Sequence, residues 1–300
     1  MQAGERPDLS VVVPSVNGWP DLEGCLAALA RQTGGVRVEV VVADRVGDRV
    51  RTPLARQYPD AHLVTAPPAT TIPALRRMGF QAAQGSVIGV IEDHVIVPPD
   101  WATRMLAAQR EGAQVVGGSV TNAATGTIVD WAAFLCEYSH CLAPKAGPAA
   151  WVPGNNVTYR RELLERFADR IAEDRWEDHL HDAMREAGVT LLSRPEIAVG
   201  HKRHYGAREY AGQRYLYSRS YAGLRAAGTG SVRRAGYGLA AVALPPLLFA
   251  RIVRRVWASG RYRDELLRSL PLIAVYVVAW AAGETAGAWF GAGDSLARVT

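Results

Sequence analysis

Six short segments of this 300-residue chain gather side chains that can do chemistry. Ile91-Glu92-Asp93-His94 follows an apolar run directly, and three ligand-type side chains in that place are costly unless paired or metal-bound. Carboxylates with an imidazole suit Mn²⁺ or a similar divalent ion better than an all-oxygen Mg²⁺ site. Trp176-Glu177-Asp178-His179 opens a helical pattern running to Ala187. Its acids are either a general base with its neighbour or charges favoured by a helix N-terminus. His201-Lys202-Arg203-His204 follows the strand-like Glu196–Val199. It offers cations for a diphosphate and a neutral imidazole for a metal, or is a basic surface loop. Pro14-Ser15-Val16-Asn17 and Asp44 each end an apolar run, where they can cup a base or ribose or simply close turns. Gly154-Asn155-Asn156, before Tyr159-Arg160-Arg161, either floors a sugar site or is an Asx-rich turn and a helix start.

The elements that must position these groups are legible as alternation. Apolar, β-branched runs at Leu9–Pro14, Val36–Ala43, Ala61–Thr65, Ser86–Ile91 and Ala113–Val120 read as strands. Helical patterns cover Pro20–Gln32, Thr71–Gln84, with Pro73 in its first turn, and Pro99–Glu111. Strands and helices alternating at this spacing predict βαβ units and a mainly parallel sheet flanked by helices. Ligands of such sheets sit at the carboxyl ends of the strands, where the segments after Val13, Ala43 and Ile91 fall.

Composition excludes other classes. Apolar residues are 49% and charged residues 21%, which rules out a disordered chain or a fibre. Cys25, Cys136 and Cys141 form neither a disulfide framework nor a zinc knuckle, so a reducing cytosol is expected. Met1–Asp8 is polar, and no secretory signal is read there. The net charge of +5 divides unevenly: residues 1–200 carry 19 basic against 24 acidic groups, residues 201–300 carry 15 against 5. The basic third favours anionic partners. Nucleic acid is disfavoured, because the basic residues are interleaved with long apolar runs.

Taken in order, SVVVPSVN, EVVVAD, ALRRMGFQAAQG, VIGVIEDHVIVPPDW, GNNVTYRR and WEDHLHDAMREAG resemble the signature of the family-2 glycosyltransferases, whose fold is called GT-A. The likeness covers roughly residues 8–205. It implies an enzyme that moves a sugar from a nucleotide-sugar donor to a hydroxyl acceptor with inversion and the help of a divalent metal, Mn²⁺ or Mg²⁺. Pro14, Ser15, Asn17 and Asp44 would then contact the nucleoside, and Arg76 would lie near the nucleotide. Glu92 and Asp93 would face the donor. His94 would be the metal ligand, with Asp93 and His201 in the same set. Lys202 and Arg203 would hold the diphosphate. Asp178 would be the general base, with Glu177 beside it. Glu-Asp-His here stands where the family has Asp-x-Asp, and Val16 and Arg77 replace the usual Tyr and Asn. The Gln-x-x-Arg-Trp segment of processive polymer synthases is absent, which implies single transfer. A nucleotidyltransferase and a non-catalytic membrane-anchored nucleotide-sugar binder are the competing readings.

The last third changes character. The sequence predicts a glycosyltransferase domain over 1–230 and an apolar, Arg-rich helical module over 231–300. Ala235–Ala250 is uncharged but holds Pro245-Pro246, Arg251–Arg268 is a linker with six arginines, and Leu270–Gly293 is apolar apart from Glu284. Gly283, Gly287 and Gly291 recur every fourth residue, which allows close helix contact. Two spans would put the arginine-rich linker outside, against the positive-inside tendency. A first segment lying in or re-entering the membrane is therefore expected, with a second that spans or completes a hairpin. The expected place is the cytoplasmic side of the cell membrane, with membrane lipids and a lipid-linked or glycan acceptor as partners.

Overall fold

The β-branched runs become strands because both faces of the sheet are covered, so continuous apolar runs are favoured. The computed structural model describes residues 6–300, so the beginning of the polar Met1–Asp8 segment, residues 1–5, lies outside the described residues. Nine strands follow in chain order: β1 (Leu9–Ser15), β2 (Val38–Asp44), β3 (His62–Thr65), β4 (Val87–Ile91), β5 (Val95–Ile96), β6 (Val115–Asn122), β7 (Gly147–Ala149), β8 (Asn156–Arg160) and β9 (Leu191–His201). They form one sheet in the order β3-β2-β1-β4-β8-β6-β9-β5, with β7 on β9.

The half β3-β2-β1-β4 is parallel throughout, in register Val11↔Val40 and Val11↔Gly89 across β1. Beyond β4 the sheet is mixed. β8 runs antiparallel to both β4 and β6, β6 and β9 are parallel, and β5 and β7 run antiparallel to β9. The expectation of a mainly parallel sheet is corrected here. Its source is Asn156–Arg160, which reads as a turn and helix start. In the structure it is a strand with four buried residues, entered from the Gly154-Asn155 turn. The helix Asp48–Gln57 is also absent from the sequence reading. It is rich in arginine and buries only Val50 and Leu54, so its apolar period is too sparse to see.

Contacts divide the chain into two compact units, one of residues up to 123 with 144–202, the other of 124–143 with 203–300. That division differs from a boundary at residue 230. The helix Ala207–Ala226 belongs with Arg263–Phe290, against which it packs more extensively than any other pair of elements. Gly283 and Gly287 make this approach possible. A Cβ at Gly283 would meet Ser218 Oγ at 2.0 Å, and one at Gly287 would meet the Arg219 carbonyl at 2.4 Å.

Within the second unit Ser231–Ala240 continues through a short 3₁₀ turn into Leu244–Ser259, whose first turn holds the double proline. Arg263–Phe290 returns antiparallel: Arg234 donates to the Ala288 carbonyl (3.0 Å) and Thr285 to the Gly238 carbonyl (3.3 Å). The arginine-rich segment is thus no linker. Only Gly260–Tyr262 is non-helical. Arginine is a good helix former, and Ile252, Val256 and Leu266 bury one side of the two helices it joins. Glu284 is buried and paired with Arg225, which answers its cost within an apolar run.

Candidate active site

The carboxyl ends of β1, β2, β4 and β9 bring the predicted residues to one edge of the first unit. At β4, Glu92, Asp93 and His94 leave the strand in different directions. Asp93 is fully buried and turned back on the end of β1. It accepts hydrogen bonds from Val16 N (2.8 Å), Asn17 N (2.9 Å) and Asn17 Nδ2 (2.6 Å), and its Oδ1 faces His94 Nδ1 at 3.1 Å. The sequence reading counts Asp93 among the metal ligands. The structure corrects this, because its oxygens are occupied in holding the Val16-Asn17 turn and the His94 ring.

Glu92 and His94 face the other way. His94 Nε2 lies 3.3 Å from Glu92 Oε2 and 2.9 Å from His201 Nε2, and the two imidazole rings meet edge to face. β9 delivers His201 through its pairing with β5, in register Val95↔His201, and Lys202 N donates to the His94 carbonyl at 3.0 Å. Asn155 Nδ2 donates to Glu92 Oε2 at 2.9 Å, so the small-polar loop does floor this edge. Asn156 is structural: its amide reaches the Ser119 and Ile197 carbonyls (2.8 Å each) and accepts from Trp101 Nε1 (2.9 Å).

A divalent ion fits this donor set. One atom each of Glu92, His94 and His201 lies within 4.8 Å of the others, and Asp93 is not among them. Asp93 instead orients His94 from behind, the carboxylate–histidine arrangement that fixes a ligating imidazole. Burial opposes charge on His94, but hydrogen bonds to Asp93 and Glu92 outweigh it and raise the imidazole to about 10. Burial likewise opposes ionisation of Glu92, yet hydrogen bonding to His94 and the nearby Arg76 charge hold it well below the usual carboxylate range. The pocket therefore prefers positive charge between its carboxylates, which is what a cation would satisfy.

Arg76, on the helix Ile72–Ala82, ties this edge to the acidic helix start. Its guanidinium is buried, lies 3.7 Å from Glu92 Oε1 and is paired with Glu177 Oε2. Glu177 fits only because residue 154 is glycine: a Cβ there would meet the Glu177 carboxyl carbon at 2.2 Å. Neighbouring Arg77 pairs with Asp174 at 2.8 and 3.0 Å, which explains one of the nearby acids. Asp178 is different. Its carboxylate accepts from His179 N (2.9 Å) and has no ion pair among the described residues. Burial, then the adjacent Glu177 charge, raise it above the ordinary aspartate range.

The other predicted residues stand apart from this cluster. Pro14, Ser15 and Asp44 are buried. Ser15 Oγ donates to Asp44 Oδ1 (3.0 Å), Val46 N and Gly47 N donate to the same carboxylate (3.0 Å each), and Arg51 Nε completes it (2.8 Å). Of the two readings open for Asp44, the structure shows the turn closure, backed by an arginine that sequence reasoning missed. The part-exposed groups at the β1 end are Val16 and Asn17. Lys202 is exposed, whereas Arg203 lies in the second unit, paired with Glu209 (3.0 Å) and set over the Tyr205 ring.

A parallel nucleotide-type half-sheet, a mixed remainder and an acid–imidazole cluster at the carboxyl edge define a glycosyltransferase with a GT-A-like fold. The chain belongs to Glycosyl transferase family 2, whose profile matches residues 10–167. That segment includes Asp44, Arg76, the Glu92–His94 run and the Asn155 loop, and ends before Glu177, Asp178 and His201. Two solved structures are similar over most of their length. One is a mannosyltransferase from Pyrobaculum calidifontis in complex with GDP-Man and Mn²⁺, 18% identical, with 93% of this chain and 87% of that one covered and a TM-score of 0.56. The other is Staphylococcus aureus TarS 1–349, 14% identical, with 93% and 90% covered and a TM-score of 0.50. At these identities the likeness concerns the fold. No curated protein matches the chain.

Proposed function

We propose that the chain transfers a single glycosyl group from a nucleotide-sugar to a hydroxyl acceptor with inversion at the anomeric carbon. The observation that carries this reading is the meeting of Glu92, His94 and His201, from two distant strands, at the edge where a family-2 enzyme binds its donor. These three residues would hold a divalent ion. When bound, such an ion offsets the charge that develops on a departing diphosphate.

The chain's own groups supply the rest. Lys202, exposed at the end of β9, adds positive charge beside the cluster. Arg76 keeps Glu92 and Glu177 ionised and fixed. Asp178, which carries no compensating cation, takes the proton of the acceptor hydroxyl as the new bond forms, and its raised affinity for protons suits that task. Val16 and Asn17, pinned by Asp93, offer backbone and amide to the nucleoside end.

A membrane place accompanies this activity in the reading. Two helices, Ser231–Ser259 and Arg263–Phe290, are long and apolar enough to cross a bilayer. We place the enzyme at the cytoplasmic face of the cell membrane, acting on a lipid-linked or envelope acceptor. The test is donor hydrolysis and transfer by the purified full chain against a panel of nucleotide-sugars, with GDP-mannose included, in the presence of Mn²⁺, Mg²⁺ or EDTA. Turnover of one donor that EDTA abolishes and Mn²⁺ restores is expected. Donor binding without turnover for any acceptor or water would leave a binding protein instead.

A further inference from the structure

All the large hydrophobic residues that stay exposed among the described residues lie in the second unit, and ten of those twelve are on the helices between residues 231 and 290. Val232 is 86% exposed, Val242 72% and Phe290 76%. The same segment holds eight arginines against three acids. An outward apolar face with excess positive charge fits one occupant, a lipid leaflet with anionic headgroups. A second copy of the chain would set arginines against arginines.

Length does not separate a spanning hairpin from one lying in the membrane plane, since both helices exceed the roughly 20 residues a span needs. The covered side of Arg263–Phe290 does separate them. Helix Ala207–Ala226 runs parallel to its second half, from Tyr210 beside Tyr276 to Gly223 beside Ala292. This covering helix carries four arginines and a glutamate. Arg214 stacks over the Trp280 ring at 4.0 Å, Arg225 pairs with Glu284, and Arg219 Nε donates to the Gly291 carbonyl at 3.2 Å. Arg263–Phe290 cannot be threaded through hydrocarbon without carrying these arginines in with it, an expensive placement for isolated charges. The first helix, by contrast, is almost uncovered: 17% of its most apolar stretch is buried, against 39% in the second.

Resting on the membrane association proposed above, we propose that Ser231–Phe290 is a monotopic hairpin. It sinks its outer face into one leaflet, keeps Ala207–Ala226 on the aqueous side, and leaves its turn and both ends on the same side of the bilayer. The enzyme would accordingly meet its acceptor from within the headgroup layer of that leaflet.

Two measurements on the full chain test this separately. Flotation with phosphatidylcholine vesicles, with and without phosphatidylglycerol, tests the association. The chain should float with both and more completely with the anionic ones. A chain that stays at the bottom in both, or that runs as a detergent-free dimer, overturns the membrane reading itself. Topology is tested with single cysteines at exposed positions, Ser231→Cys, Ser259→Cys and Asp294→Cys, in bacterial membranes. The three native cysteines are buried, so the parent chain serves as the unlabelled control. A membrane-impermeant maleimide should leave all three variants unlabelled in intact spheroplasts and label all three after lysis. Labelling of Ser259→Cys alone in intact spheroplasts would mean two spans, and of Asp294→Cys alone one span; either overturns the in-plane hairpin while leaving membrane association standing. Variants that no longer pellet with membranes are replaced by cysteine at Arg261, which is exposed in the same turn.

Discussion

The Nε2 atoms of His94 and His201 face each other at 2.9 Å across 107 residues of chain. One nitrogen must offer a lone pair to the other or both must turn their lone pairs to a shared cation. Asp93, behind His94 at 3.1 Å, fixes which face of that ring is presented.

This relationship separates ligands from their support. Substituting His94 or His201 by Ala should abolish measurable Mn²⁺ binding. Asp93→Asn should weaken it by roughly 10–100-fold, the usual effect of losing the carboxylate behind a ligating histidine. His94→Asp should bind, with preference moved toward Mg²⁺ as an imidazole is exchanged for oxygen. Titrating Mn²⁺ by its EPR signal in each variant reads this directly. An unchanged Mn²⁺ affinity in His94→Ala would remove the cluster from consideration as a metal site.

Asp178 gives a prediction in pH. Its carboxyl binds protons more tightly in the folded chain than in the unfolded one. The acid limb of kcat should therefore lie above the ordinary aspartate range, activity falling as pH drops through it. The sign for stability is the opposite. A raised carboxyl favours the fold when protonated, so that contribution is present at low pH and lost as pH rises through the folded value. Asp178→Asn should then lower turnover by about 10²-fold or more, leave donor affinity nearly unchanged, and cost no stability at neutral pH. A variant with near-normal turnover would show that another group is the base.

Arg76 holds two carboxylates. Arg76→Ala leaves Glu92 and Glu177 without their buried cation, and losing one partner of such a set costs about 3–5 kcal/mol. A large fall in the denaturation midpoint is expected, with little recovery in Arg76→Lys, which cannot reach both acids with one rigid fork. If Arg76→Ala unfolds within experimental error of the parent, the pair is not structural.

Gly154 isolates geometry from stability. Its added methyl in Gly154→Ala would collide with the end of the Glu177 side chain, not with backbone. Glu177 should swing away from Arg76. Turnover should drop while thermal stability changes by about 1 kcal/mol or less, in the range of ordinary surface changes. Comparing kcat with the melting curve of the same preparation decides it: a loss of fold in parallel with activity would count against this reading.

The order of apolar runs by itself settled the parallel half of the sheet, because β-branched stretches bounded by Pro and Asp can hardly be anything but buried strands. It also settled which segments meet at the carboxyl edge, since that edge follows from strand direction. The antiparallel β8 was not legible: Asn156 and Thr158 look like turn residues, and only their burial against Trp101 and β6 makes them strand. Asp93 and His94 are adjacent in sequence, so nothing in the string says that one holds the turn at Asn17 while the other faces His201. That division needs β1 and β9 in place. The same is true of Glu284, a costly charge within an apolar run until the tertiary structure sets Arg225 beside it.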